Sequence, residues 1–167
     1  MTLTNWYALH VKSRHEFVVS GELQRKGIET FLPSVTRLNQ WNDRKKQVEV
    51  PLFPGYLFVS IAPEPGEFQN VIKTRGTVMF ISLSPGCPTP VAPEEIESLK
   101  ILLGSGERID IYPHLQEGTP VRVTRGAFRG ARGILKQKQD QHVFLVSMEL
   151  LGRSVAVKMH ADDVEAA

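Results

Sequence analysis

Pro51-Leu52-Phe53-Pro54-Gly55-Tyr56-Leu57-Phe58-Val59 is the stretch from which the architecture of this chain can be read. A Pro-Gly break is followed at once by aromatics on alternate residues. Strand side chains alternate between faces, so Tyr56 and Phe58 line one side while Leu57 and Val59 line the other. One face can fill a core, and the other can present aromatics to a partner. Far downstream, Gly126-Ala127-Phe128-Arg129-Gly130 forms a tight Gly-x-Phe-x-Gly turn among short C-terminal strands.

Upstream of the decisive stretch, residues 6–11 are aromatic and β-branched and read as a first strand. Ser13 and Glu16 have capping-box spacing, which predicts a helix carrying Phe17, Val19 and Leu23 and ending at Gly27. Residues 30–38 read as a second strand interrupted by Pro33, and 39–46 as a loop. A third strand, 48–61, is broken at Pro51 and Pro54. Downstream, Pro63-Glu64-Pro65-Gly66 opens a short helix with Phe68, Val71 and Ile72 on one face, stopped by Gly76. A strand over 78–83 and a Pro-rich turn over 85–90 lead to a helix opened by Pro93-Glu94-Glu95 and carrying Ile96, Leu99 and Leu103. The order β-α-β-β-α-β-α predicts an α+β fold, a ferredoxin-like α/β sandwich with one additional helix.

At Gly104-Ser105-Gly106-Glu107 the composition shifts, which marks the end of a first domain at residue 103 and a linker over 104–117. Short strands at 121–124, 132–138, 143–150 and 154–159, separated by Gly-rich turns, predict a second domain over 118–167, a small SH3-like β-barrel. A chain of 167 residues accommodates two such domains.

Composition excludes several function classes. No apolar run approaches the roughly eighteen residues that span a bilayer. Met1-Thr2-Leu3-Thr4-Asn5 has neither the basic region nor the apolar core of a signal peptide, so a cytoplasmic protein is expected. The lone Cys87 sits between Gly86 and Pro88 with nothing to activate it, and no Cys/His cluster has metal-ligand spacing. There is no P-loop and no Gly-x-Ser-x-Gly elbow, and Gly104-Ser105-Gly106 follows a predicted helix rather than a strand. The five histidines are scattered, and Glu94, Glu95 and Glu97 suit a solvated helix start. No catalytic residue, metal or cofactor is expected. A net charge of +2 is too small to announce a nucleic-acid binder, but its distribution is uneven. Residues 118–139 carry Arg122, Arg125, Arg129, Arg132, Lys136 and Lys138 with no acid, and Arg44-Lys45-Lys46 lies near Trp41. Both clusters suit solvated loops as well as polyanion contacts.

Taken in order, these motifs resemble the NusG family of transcription elongation and antitermination factors. Trp6-Tyr7, Glu16, Phe31-Leu32-Pro33, Phe53-Pro54-Gly55-Tyr56, Thr74-Arg75-Gly76, Pro90 and the helix from Pro93 match its amino-terminal domain. Gly118, Val121, Gly126, Phe128, Gly130, Gly133 and Gly152-Arg153 match its KOW domain. The resemblance implies a monomeric, non-enzymatic clamp on bacterial RNA polymerase. His10, Phe53, Tyr56, Phe58 and Leu99 would grip the clamp helices of the largest subunit, and Thr74 and Arg75 would touch the second large subunit. Lys12, Arg44, Lys45 and Lys46 would lie along non-template DNA in the transcription bubble. Phe128, Arg129 and Phe144 would face a partner of the KOW domain, a ribosomal protein or a termination factor. Bridging the cleft favours one polymerase conformation and so disfavours the paused one.

Within the family, Pro51-Leu52-Phe53-Pro54 and the Leu-rich stretch 144–151 resemble specialised, operon-restricted paralogs of the RfaH and LoaP type. Glu67-Phe68-Gln69 departs from the polar helix patch of RfaH, in which the C-terminal domain can also refold as helices over the cavity. Here Gly126, Gly130 and Gly133 oppose a helix, each costing about 1 kcal/mol relative to Ala, and a stable barrel is expected. Two alternatives stand beside the paralog. One is a housekeeping factor that recruits termination or ribosomal partners. The other is a ribosome-associated KOW protein that binds RNA through the basic arc, which leaves the first domain unexplained.

Overall fold

The computed structural model describes residues 3–41, 44–113, 118–138 and 141–167, with the backbone alone at 38–41, 44–46, 110–113, 138 and 149. Packing divides the chain into two compact units, Met1–Val91 and Ala92–Ala167.

In the first unit, β1 (Asn5–Val11) is the central strand. It pairs antiparallel with β5 (Tyr56–Ile61) on one side, and with β6 (Thr77–Phe80) and β7 (Pro90–Val91) on the other. β2 (Glu29–Phe31) adds to the outer edge of β5. The alternation read from residues 56–59 holds: Leu57, Val59 and Ile61 join Tyr7, Leu9 and Val11 in a core completed by two helices. α1 (Glu16–Arg25) contributes Val19 and Leu23, and α2 (Pro65–Ile72) contributes Val71, with Phe68 packed alongside. Tyr7 meets Phe68 edge-on at 5.1 Å and Phe80 at 6.1 Å. Each such fully buried side chain stabilises the fold by about 1.5–3 kcal/mol relative to an exposed one.

Several local expectations are corrected. The stretches 39–41 and 44–46 are not loop but strand, β3 (Ser34–Trp41) pairing with β4 (Arg44–Pro51) in its own two-stranded sheet, while residues 42 and 43 of the expected loop lie outside the described residues. Pro33 has no N–H to continue the β2 ladder, and its carbonyl accepts from Leu52 N–H at 2.8 Å at the hairpin base. The chain thus leaves one sheet and enters another. The capping box does not form either. Arg14 takes a left-handed backbone (φ 66°), α1 begins only at Glu16, and its N-cap, His15, makes no side-chain cap bond. Glu16 is buried and bonds elsewhere. Phe17, expected on the apolar face, is 44% exposed.

The second unit holds α3 (Pro93–Gly104) and six strands: β8 (Asp110–Pro113), β9 (Thr119–Val123), β10 (Arg132–Lys138), β11 (Gln141–Met148), β12 (Arg153–Met159) and β13 (Val164–Ala166). They are ordered β13-β9-β10-β11-β12-β8 and form the expected small barrel. The stretch 144–151, the candidate for helical refolding, is strand through Met148 and then a 3-10 turn over Glu149–Leu151. Phe144, Leu145 and Val146 are buried in succession, so both faces of β11 are covered. α3 packs against β10 and β11, and buried Ser98 accepts the Arg132 N–H on Oγ at 2.8 Å. The break expected at Gly104 follows composition, whereas packing groups α3 with the barrel. Strands β8 and β13, too short to stand out in the sequence, close the two ends of the strand order.

Gly133 sits where β10 crosses β11. A Cβ there would lie 2.2 Å from the Leu145 carbonyl oxygen and 3.0 Å from Phe144 Cζ. Gly133→Ala is therefore expected to destabilise the protein by about 1–3 kcal/mol in urea unfolding. Gly21→Ala, with open space around it inside α1, should stabilise by up to about 1 kcal/mol.

Candidate functional site: an aromatic rank on the sheet

Residues directly opposed across antiparallel strands point to the same side of a sheet. The registers Tyr56↔His10 and His10↔Met79 therefore place one rank across β5, β1 and β6, on the face away from the Leu57–Val59 core. The next rank is Phe31, Phe58 and Ala8. The His10 and Tyr56 rings stack at 5.2 Å with 28° between their planes, and Phe31 and Phe58 stack at 6.1 Å and 26°. Phe58 and Ala8 have no exposed surface, His10 and Tyr56 are half-buried, and Met79 is 53% exposed.

The 52–55 turn holds this rank in place. Tyr56 N–H donates to the Phe53 carbonyl at 3.0 Å, and Val11 N–H donates to the Gly55 carbonyl at 2.8 Å. Gly55 N–H donates to Glu16 Oε2 at 3.3 Å, which explains why Glu16 turns away from its own helix start. Gly55 has a left-handed φ of 87°, which would strain any L side chain, and a Cβ there would sit in ordinary contact with the His10 ring at 3.6 Å. Glycine thus lets the turn close over His10, which in turn supports Tyr56.

Of the residues singled out from the sequence, His10 and Tyr56 are brought together at the surface. Phe58 lies in the rank behind them as a fully buried support, and Phe53 is fully buried in the turn. Leu99 lies on α3 in the second unit and is also fully buried. Thr74 is a structural joint: its Oγ1 accepts from Lys26 Nζ at 2.9 Å and donates to the Asn70 carbonyl at 3.4 Å. Arg75 and Lys12 are exposed. Arg44, Lys45 and Lys46 occupy β4 opposite Trp41, Gln40 and Asn39, and their side chains lie outside the described residues. Phe31 and Met79 were not anticipated, because only the strand register puts them beside Phe58 and His10.

In the second unit, Phe128 lines a cleft of about 370 Å³ with Glu107, Arg108, Val157 and Lys158. Arg129 is exposed. Phe144 is fully buried, its ring against Gly133, and presents no surface to a partner. The basic arc is partly neutralised by acids from beyond the stretch in which it was read. Arg125 Nε donates to Asp163 Oδ1 at 2.8 Å, and Arg122 pairs with Glu165. Among the described residues there is no cluster of three metal-ligating side chains, and no helix is long and apolar enough to cross a membrane.

Residues 4–100 match the family described as "Transcription termination factor nusG". Over 173 residues the chain is 27% identical to the transcription termination/antitermination protein NusG of Halalkalibacterium halodurans, covering 96% of this chain and 97% of that protein. It is 28% identical over 174 residues to the Bacillus subtilis protein of the same name, with the same coverage of both chains. The Pseudomonas aeruginosa protein so named is 25% identical over 171 residues. A solved structure described as "Domain interaction in Thermotoga maritima NusG" shares the fold, with a TM-score of 0.53, 22% identity, and coverage of 97% of this chain and 96% of that one.

If the Glu16–Gly55 bond anchors the rank, Glu16→Ala leaves a partly buried N–H without its acceptor. The expected cost is about 1–3 kcal/mol in urea unfolding, with loss of the hydrogen-exchange protection of Gly55 N–H.

Proposed function

The chain belongs to the NusG family of transcription factors, and from that premise we propose that it binds bacterial RNA polymerase through its first unit and suppresses pausing or termination. The observation that carries this reading is the rank Tyr56–His10–Met79, apolar and accessible, on a sheet face that α1 and α2 leave uncovered. A coiled coil such as the clamp helices of the largest subunit offers the apolar stripe that a row of this kind accepts. Phe58 and Phe53, both fully buried, act behind it, fixing the shape of the surface rather than making contacts, and half-buried Phe31 borders it. Arg75 is the exposed member of the pair assigned to the second large subunit, and Thr74 holds its turn. The factor acts by binding and not by catalysis. Its effect is a population shift: it binds the elongating conformation better than the paused one.

Lys12 and the β3–β4 hairpin residues Arg44, Lys45 and Lys46 are assigned to non-template DNA. The barrel offers the Phe128 cleft and exposed Arg129 to a termination factor or ribosomal protein. The protein works in the cytoplasm, where its polymerase is, as a specialised factor restricted to particular operons. A housekeeping role is the second reading, favoured by the shared name of its full-length relatives. Genome-wide occupancy separates the two, since a specialised factor is confined to a few transcription units. The reading as a ribosomal RNA binder is weakened by the pairing of Arg122 and Arg125 with acids.

The test is a binding titration with core RNA polymerase. Tyr56→Ala is expected to weaken binding by about 1–3 kcal/mol, as for loss of an interface anchor, with little change in stability. Phe58→Ala is expected to cost about 3–5 kcal/mol of stability, because it empties a packed position. Binding by the Tyr56 variant equal to that of the wild type would remove the rank from the interface.

A further inference from the structure

β8 (Asp110–Pro113) comes from the stretch 104–117, whose composition is that of a linker, yet it sits in the barrel sheet. It pairs antiparallel with β12, from Asp110↔Ala156 to Pro113↔Arg153, and ends the strand order among the described residues. Pro113 brings no N–H, which suits only the edge of a sheet. The chain is fixed on both sides of this short strand. Upstream, α3 is held by fully buried Leu99 and Leu102 and by the bond from Arg132 N–H to Ser98 Oγ. Downstream, a Cβ on Gly118 would lie 2.1 Å from Ile134 Cγ2 and 2.9 Å from the Leu135 carbonyl oxygen, so Gly118 is pressed onto β10. β8 can therefore leave β12 by local opening while both of its ends stay in place, and its return is intramolecular.

The β12 edge is longer than the strand that covers it. β12 runs on to Met159, whereas among the described residues its pairing with β8 stops at Ala156. At that point Glu107 and Arg108, which lead into β8, line the Phe128 cleft together with Val157 and Lys158 of β12. Phe128 and Val157 are buried and apolar, and Lys158 is exposed. The backbone N–H and C=O groups along such an edge are a template for an extended chain. The free energy gained from each backbone hydrogen bond in water and that lost in ordering each residue are of similar size, so a four-residue strand holds the edge by a small margin. A longer strand that also fills the cleft, with an apolar residue toward Phe128 and Val157 and an acid beside Lys158, holds it better.

We propose that β8 is a releasable strap: it occupies the slot on β12 that an extended segment of the barrel's protein partner takes, and the partner must displace it. This rests on the protein partner assigned to the barrel above and adds the regulation of that site. The strap lowers the affinity for every competing strand in proportion to the fraction of time it is away, so a strand without the cleft contacts is turned away. It also hides a sheet edge that would otherwise pair without selection.

The test is an NMR titration of the isotope-labelled full chain with a synthetic peptide copying residues 107–113, the strap supplied in trans. Ile111→Pro should detach β8 and leave the amide shifts of β9, β10 and β11 in place. The peptide should then perturb the amides of Arg153–Met159 and bind the variant several-fold more tightly than the wild type. Equal affinity for the two proteins, or no binding to the folded variant, overturns the proposal. Native-state hydrogen exchange of the wild type tests it without any substitution. The β8 amides should exchange by local opening, well ahead of those of β10 and β11 and with little dependence on urea. Exchange of β8 only with global unfolding, at the same urea dependence as β11, also overturns it. Neither polymerase nor a barrel partner is present, so the outcome is independent of whether either one binds.

Discussion

Two backbone hydrogen bonds at the end of β1 determine where the proposed contacts of the first unit sit. Val11 N–H is taken by the Gly55 carbonyl and Lys12 N–H by the Gly76 carbonyl, both at 2.8 Å. The first draws the 52–55 turn onto β1, so that Tyr56 enters its strand directly opposite His10. The second draws the turn that bears Arg75 against the turn that bears Arg14. Both acceptors belong to glycines with left-handed φ, 87° and 99°. At Gly76 a Cβ would come within 2.8 Å of Val19 Cγ2, so another residue there would push the turn away from α1.

From that constraint the two faces of the sheet acquire different duties. The α1 and α2 face is packed with Leu, Val, Ile and aromatic side chains and holds the main core of the first unit. The other face carries stacked rings whose front rank remains reachable. Buried Phe58 and Ala8, flanked by half-buried Phe31, lie behind the accessible row of Tyr56, His10 and Met79 as a rigid base under a contact surface. Such preorganisation lowers the side-chain entropy lost on association.

Much of this was legible because the governing signals are local. The alternation at 56–59 separates core from contact face without any knowledge of the fold, and Gly-x-Phe-x-Gly with flanking β-branched strands announces the barrel. What escaped depends on distant pairing. The polar run 39–46 looks like a loop because it lacks the apolar alternation that marks a strand packed on a core, and only the pairing of β3 with β4 makes 39–41 and 44–46 strand. Ser13 and Glu16 have capping-box spacing, but the better use of the Glu16 carboxylate was Gly55 N–H, far away in sequence. The arc from Arg122 to Lys138 appeared uncompensated because its acids, Asp163 and Glu165, arrive on and beside β13. Phe144 reads as an exposed aromatic only if β11 has a solvent face, and it has none.

The central claim is that the sheet face opposite α1 and α2, and not the face those helices cover, meets RNA polymerase. A photo-crosslinking residue placed at Tyr56 or at Phe17, which is 44% exposed on α1, tests it most directly in reconstituted elongation complexes. The account predicts a crosslink from position 56 to the clamp helices of the largest subunit and none from position 17. Crosslinks from position 17 alone would put the interface on the opposite face and contradict it.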